Sequence, residues 1–114
     1  VQTCALPISG EKEEFDLMKK YNTLLKSTNQ LDQLKGKKVY VSVDLDVLDP
    51  SIMCGTGTPE PGGFTFNELM QWFKKLNELD IIGADVVELA PHYDASGVST
   101  AVATKVIREL LLCM

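Results

Sequence analysis

Two short apolar runs rich in β-formers, separated by a segment with helical periodicity, most constrain what this chain can fold into. Val39, Tyr40, Val41 and Val43 mark the first, which reads as a buried strand from Val39 to Leu45. Ile81, Ile82 and Ala84 to Leu89 mark the second, ended by Pro91. Between them, Thr65-Phe-Asn-Glu68 has capping-box spacing, and Leu69, Trp72, Phe73, Leu76 and Leu79 share one helical face. Trp72 and Phe73 therefore read as core packing. Upstream, Phe15, Met18, Tyr21, Leu24 and Leu25 recur at helical spacing. Ser27-Thr-Asn29 interrupts that helix or restarts it as a new N-cap, Leu31 and Leu34 fit a short second helix, and Gly36 is a stop. Ser99 or Thr100 opens a last helix bearing Val102, Val106, Ile107, Leu110 and Leu111. The order helix, strand, helix, strand, helix predicts an α/β fold with parallel strands and right-handed crossovers.

The first run ends in Asp44-Leu-Asp46-Val-Leu-Asp49-Pro50. Residues two apart on a strand share a face, so Asp44 and Asp46 are expected side by side where the strand runs out. Like charges that close repel, and a cation between them is the simplest relief. Ligand sites of open α/β sheets also lie at the carboxyl ends of strands. The pair therefore proposes a metal site; for a D-x-D alone, a solvated pair capping a turn is the plainer reading. Glycines and prolines from Cys54-Gly-Thr-Gly-Thr58 to Gly62-Gly63 then shape a loop placed to wall a pocket. Asp49 is expected to cap the turn leaving the strand. Thr56 and Thr58 can offer hydroxyls to the pocket or stabilise turns. Asp85, three residues before Glu88, faces the other side of its strand and is expected to pair with a helix residue.

Taken together, Ser42-x-Asp44-x-Asp46-x-x-Asp49-Pro50, Gly55-Thr-Gly-Thr-Pro59 with Gly62-Gly63, and Gly83-Ala-Asp-Val-Val-Glu88-Leu-Ala-Pro91-His-Tyr93-Asp94 resemble the signatures of the ureohydrolases. That family contains arginase, agmatinase, guanidinobutyrase and formimidoylglutamase, and the motifs here look most like agmatinase. The resemblance implies a three-layer α/β/α sandwich around a parallel sheet of about eight strands. It implies Mn²⁺ as cofactor, two ions per complete site, with Asp44 bridging both and Asp46 ligating one, in keeping with the preference of hard ions for oxygen. It implies that Glu88 pairs with the substrate guanidinium, whose planar donors match a carboxylate. The implied reaction is hydrolysis of a guanidino compound, agmatine to putrescine and urea, with arginase or formimidoylglutamase chemistry as alternatives. The family's other ligands, two histidines and two aspartates, belong to motifs absent here; His92 is the sole histidine and sits in the wrong motif. Cys54 departs from the proline usual before Gly-Thr-Gly-Thr-Pro. His92, Tyr93 and Asp94 either touch the far end of substrate or form a solvated loop.

Asp44-Leu-Asp46-Val47 also matches the first motif of haloacid dehalogenase-like phosphatases, where the first aspartate is a nucleophile. That fold leaves Gly55 to Gly63 unexplained. An EF-hand loop fails, because the positions requiring glycine and glutamate hold Asp49 and Gly55. A non-catalytic pseudoenzyme is the alternative of another class. The net charge of −5 carries no block of like charges and argues against a nucleic-acid partner. No apolar run is long enough to cross a bilayer. The scattered Cys4, Cys54 and Cys113 fit reduced thiols in a cytoplasmic protein. The resemblance adds a homo-oligomer, trimer or hexamer.

Val1-Gln-Thr-Cys-Ala-Leu-Pro-Ile8 does not blend into the rest of the chain and resembles a translated sequencing-adapter end. Residues 1–8 are therefore expected to be a non-native leader, and 9–114 the C-terminal portion of a single catalytic domain, inactive by itself. Two parallel strands leave two open edges and need helical cover on both faces. Expressed alone, the chain is expected to be poorly soluble or molten. A sharp, cooperative thermal melt of a monomer would count against this.

Overall fold

The computed structural model describes residues 4–114. Helix α1 spans Lys12–Lys20, strand β1 Lys38–Asp44, helix α2 Phe66–Leu76, strand β2 Asp80–Val87 and helix α3 Val98–Leu112. Single 3₁₀ segments precede β1 (Thr28–Leu34), follow it (Leu45–Val47) and follow β2 (Pro91–Tyr93). The α/β alternation expected from the sequence is present, and β1 and β2 pair in parallel from Lys38↔Asp80 to Asp44↔Val87.

One face of this sheet is covered and the other is bare. Val39, Val41 and Val43 alternate inward on β1, with Val43 and Ile81 buried, whereas Tyr40 and Ile82 are 62% and 58% exposed. A register shift between Val39 and Tyr40 sets Tyr40 opposite Gly83. A Cβ at Gly83 would lie 3.0 Å from the Tyr40 ring, so glycine lets the aromatic lie flat across the neighbouring strand. The covered side carries α2 through Leu69, Phe73 and Leu76, and α3 through Ala103, Val106 and Leu110. Leu45, Leu48 and Met53, from the segment after β1, complete the centre of the core.

Local capping explains the starts of α2 and of the 3₁₀ segment before β1. Thr65 Oγ1 accepts the Glu68 amide at 3.3 Å while Glu68 Oε2 accepts the Thr65 amide at 2.8 Å, the reciprocal box read from the sequence. Ser27 restarts the chain after α1, its amide donating to Gln30 Oε1 at 3.0 Å. That second piece is 3₁₀, tied to α2 by an ion-pair network in which Lys35 and Lys75 each join Asp32 and Glu78.

Three expectations shift. The first helix ends at Lys20, because Asn22 takes a left-handed φ of 54°. Leu24 thereby leaves the helical face and bridges to Ala5. In α3 the buried row is Ala103, Val106 and Leu110, leaving Ile107 and Leu111 44% and 64% exposed. Both strands stop one or two residues short of the sequence reading, at Asp44 and Val87. Of the expected leader, residues 1–3 lie outside the described residues. Cys4 and Leu6 pack against the core, and Ala5 exchanges backbone hydrogen bonds with Thr23 and Leu25 at 2.9 and 2.8 Å.

The loop after β1 is closed at its base. Phe64 N donates to Val47 O at 2.8 Å and Asp49 N to Phe64 O at 2.9 Å. Gly63 sits inside this closure; a Cβ there would lie 2.7 Å from Val47 O and 2.8 Å from Asp49 N. Gly63→Ala is expected to cost about 1–3 kcal/mol of stability by forcing these backbones apart. An unchanged denaturation midpoint would refute that.

Candidate active site

Asp44 is the last residue of β1, and its Oδ1 accepts the amide of Asp46 at 3.0 Å. This corrects the reason for their proximity. Asp46 does not follow Asp44 along one strand face; it lies in the 3₁₀ turn Leu45–Val47 that Asp44 caps. The chain turns rather than extends because that bond satisfies the amide left over where the strand ends. Asp46 is oriented in turn by Thr58, whose Oγ1 donates to Asp46 Oδ2 at 3.0 Å. Of the two loop threonines, Thr58 thus reaches the carboxylates, whereas Thr56 is buried with no hydrogen-bond partner for Oγ1 among the described residues.

Glu88 arrives at the same rim through strand register. Asp44 pairs with Val87, so Glu88 is the next residue beyond the paired end. Its φ is +68°, the left-handed region that a glutamate rarely occupies and that costs energy to hold. A Cβ at Gly57 would lie 3.9 Å from Glu88 Oε2, so the glycine loop runs alongside this carboxylate. The Asp44 pKa is raised by partial desolvation first, and further by the Asp46 and Glu88 carboxylates, against the stabilising amide of Asp46. A rim of this kind is short of positive charge. Asp44 and Asp46 are thus tied together, and Glu88 follows the strand end paired with Asp44, close enough for its charge to act on that carboxylate.

The surrounding residues are mostly framework. Asp49 accepts the Ser51 and Gly62 amides, both at 2.9 Å, the turn-capping role expected of it. Asp85 does not pair with a helix residue. It accepts Tyr40 Oη at 2.9 Å and Ser42 Oγ at 2.6 Å from β1, because the register sets Ser42 directly opposite it. The His92 and Tyr93 rings lie tilted by 47° with centroids 4.1 Å apart on an exposed turn. Asp94 is neither solvated nor aimed outward. It is buried, accepting the Ser96 amide at 2.9 Å and the Ser99 amide at 2.7 Å. Ser99, read from sequence only as a helix start, is fully buried, and its Oγ accepts the Gly55 amide at 2.8 Å. A small hydroxyl residue in the first turn of the last helix was the available signal.

Asp44 and Asp46 offer hard oxygen donors of the kind Mn²⁺ prefers. Among the described residues, no group of three or more histidine, cysteine, aspartate or glutamate side chains forms a site able to hold a metal ion. The pair fits as part of a ligand set.

Residues 11–113 match the arginase family, so the fold is that of the ureohydrolases and the chain belongs to this family of enzymes. Within it, the chain is 42% identical over 113 residues to the agmatinases of Bacillus anthracis and Bacillus subtilis, covering 91% of this chain and 39% of each relative. Among solved structures, the arginase from Medicago truncatula is similar with a TM-score of 0.73 and 33% identity, over 95% of this chain and 38% of that one. The chain thus spans about two fifths of the length of the curated relatives it matches.

The hydroxyls of Ser96 and Ser99, with their amides, hold the Asp94 carboxyl well below its ordinary value of 3.8. A depressed folded pKa contributes stability that is present above the unfolded value and lost as pH falls below it. Melting temperature should therefore drop on acidification below about pH 4, and Asp94→Asn should flatten that drop while lowering stability at neutral pH. Parallel acid profiles for both proteins would refute the assignment.

Proposed function

We propose that the whole protein hydrolyses a guanidino compound with a manganese cofactor, agmatine to putrescine and urea being the preferred reaction. The observation that carries this reading is the convergence of Asp44, Asp46 and Glu88 at the carboxyl ends of two adjacent parallel strands. The names of the relatives support the substrate class: agmatinase at 42% identity, and a guanidinopropionase from Pseudomonas aeruginosa at 49% over 72 residues. Arginine or formimidoylglutamate are the alternative substrates.

Asp44 and Asp46 would hold Mn²⁺, and ions bound there would supply a water acidic enough to act as nucleophile near neutral pH. Thr58 fixes the rotamer of Asp46, leaving the other carboxylate oxygen free to ligate. Glu88 receives the guanidinium through two parallel hydrogen bonds and so fixes its plane. Water adds through its oxygen to the guanidinium carbon, its protons pass to the alkyl-bearing nitrogen, and the C–N bond to that nitrogen breaks to release urea and the alkylammonium. The acidic composition suits a cationic substrate and not nucleic acid. No helix among the described residues is long and apolar enough to cross a membrane. A cytoplasmic homo-oligomer, trimer or hexamer, completes the proposal.

The test is urea release from agmatine, arginine and guanidinobutyrate by the complete protein with Mn²⁺. Asp46→Asn should weaken Mn²⁺ activation by about 100-fold or more, as loss of a direct ligand exceeds loss of an outer-shell partner. Glu88→Gln should raise KM by about 10- to 100-fold with Mn²⁺ affinity intact, the cost of a charge-assisted hydrogen-bond pair. No urea from any of the three substrates would remove the hydrolase reading.

A further inference from the structure

The loop that walls the site is fastened at one residue, Gly55, to two other segments. Its amide donates to Ser99 Oγ at 2.8 Å, and its carbonyl accepts the Ala90 amide at 2.7 Å. Ser99 is fully buried, so water cannot take over as acceptor. Asp94 Oδ2 fixes Ser99 by accepting its amide at 2.7 Å. A Cβ at Gly55 would lie 2.7 Å from Ser99 Cβ and 3.1 Å from Asp94 Cβ, so the backbone meets α3 with no room for a side chain.

Each end of this clamp leads to a residue of the site. Ala90 is two residues beyond Glu88, whose left-handed backbone relaxes unless the following chain is held. Thr58 is three residues beyond Gly55 and orients Asp46. Asp44 and Asp46 are also held within their own segment by the Asp46 amide, independently of the clamp. Among the described residues, no side-chain hydrogen bond holds Glu88 in its left-handed position.

We propose that Ser99 and Asp94 are positioning residues that, through Gly55 and Ala90, hold Glu88 in its strained conformation against the two aspartates. This rests on the guanidinium-binding role proposed for Glu88. The clamp sets substrate binding more than cation binding, because its loss frees the Glu88 side of the rim and leaves the β1 turn intact.

The test compares wild type, Ser99→Ala and Asp94→Asn in the complete protein. In Ser99→Ala, amide hydrogen exchange at Gly55 and Ala90 should accelerate about tenfold with Val43 and Val86 unchanged, as expected for loss of one local hydrogen bond. KM for agmatine should rise about tenfold, as for weakening of one charge-assisted hydrogen bond, while the Mn²⁺ concentration for half-activation shifts by less. Asp94→Asn should move both readouts the same way. A merely structural role would lower the melting temperature and leave KM unchanged in the folded protein, and that result overturns the proposal. Unchanged exchange at Gly55 and Ala90 overturns it as well. A wild type inactive on every guanidino compound would overturn the functional reading and the positioning role together. It is told apart from failure of the clamp alone, in which wild type turns over and the Ser99→Ala and Asp94→Asn variants match it.

Discussion

The parallel pairing of β1 with β2 is the interaction on which the site depends. Backbone hydrogen bonding in this register places Val87 beside Asp44, and so delivers Glu88 to the rim that Asp44 and Asp46 occupy. A slip of one residue in β1 would turn Val43 outward, because side chains alternate along a strand. Register is secured by burial on one side only, through Val39, Val41, Val43, Ile81 and Val86. On the bare side it is secured by polar matching, with Ser42 and Tyr40 both donating to Asp85.

The second constraint is the closed loop between Leu48 and Phe64. It starts and ends on the same backbone bridge, and its middle is bound to the N-terminal region of α3 through Gly55. Two of its glycines are required by close approach rather than by unusual dihedrals: Gly55 against Ser99, and Gly63 against the backbone at Val47 and Asp49. Glycine-rich composition therefore encodes packing of main chain against main chain and helix, not mobility. Thr58 and Gly57 reach the carboxylates because both ends of the loop are held.

Much of the fold is legible locally. The Thr65 capping box, the apolar face of α2, the two strands and the turn-capping Asp49 depend on neighbours within a few residues, which sequence spacing reports directly. The departures involve partners that spacing does not reveal. Asp85 pairs with Tyr40 and Ser42, and Asp94 with Ser99 at the foot of α3; periodicity does not indicate which strand or helix end will lie opposite. The buried row of α3 differs from its expected face for a related reason. Val106 and Leu110 are visible in the pattern, but Ala103 shares their face and directs it, and alanine is a weak hydrophobic signal.

The sequence by itself determined the family and the α/β alternation and named the candidate carboxylates, because motif spacing and element type are properties of contiguous residues. Only the tertiary structure decided how each of those carboxylates is held. Asp46 turns back on Asp44 through a 3₁₀ turn, Glu88 enters in a left-handed conformation, and the loop between them is fastened by a buried serine. Each of these arises from hydrogen-bonding groups that must find partners once water is excluded, and the partners come largely from segments far apart in the chain.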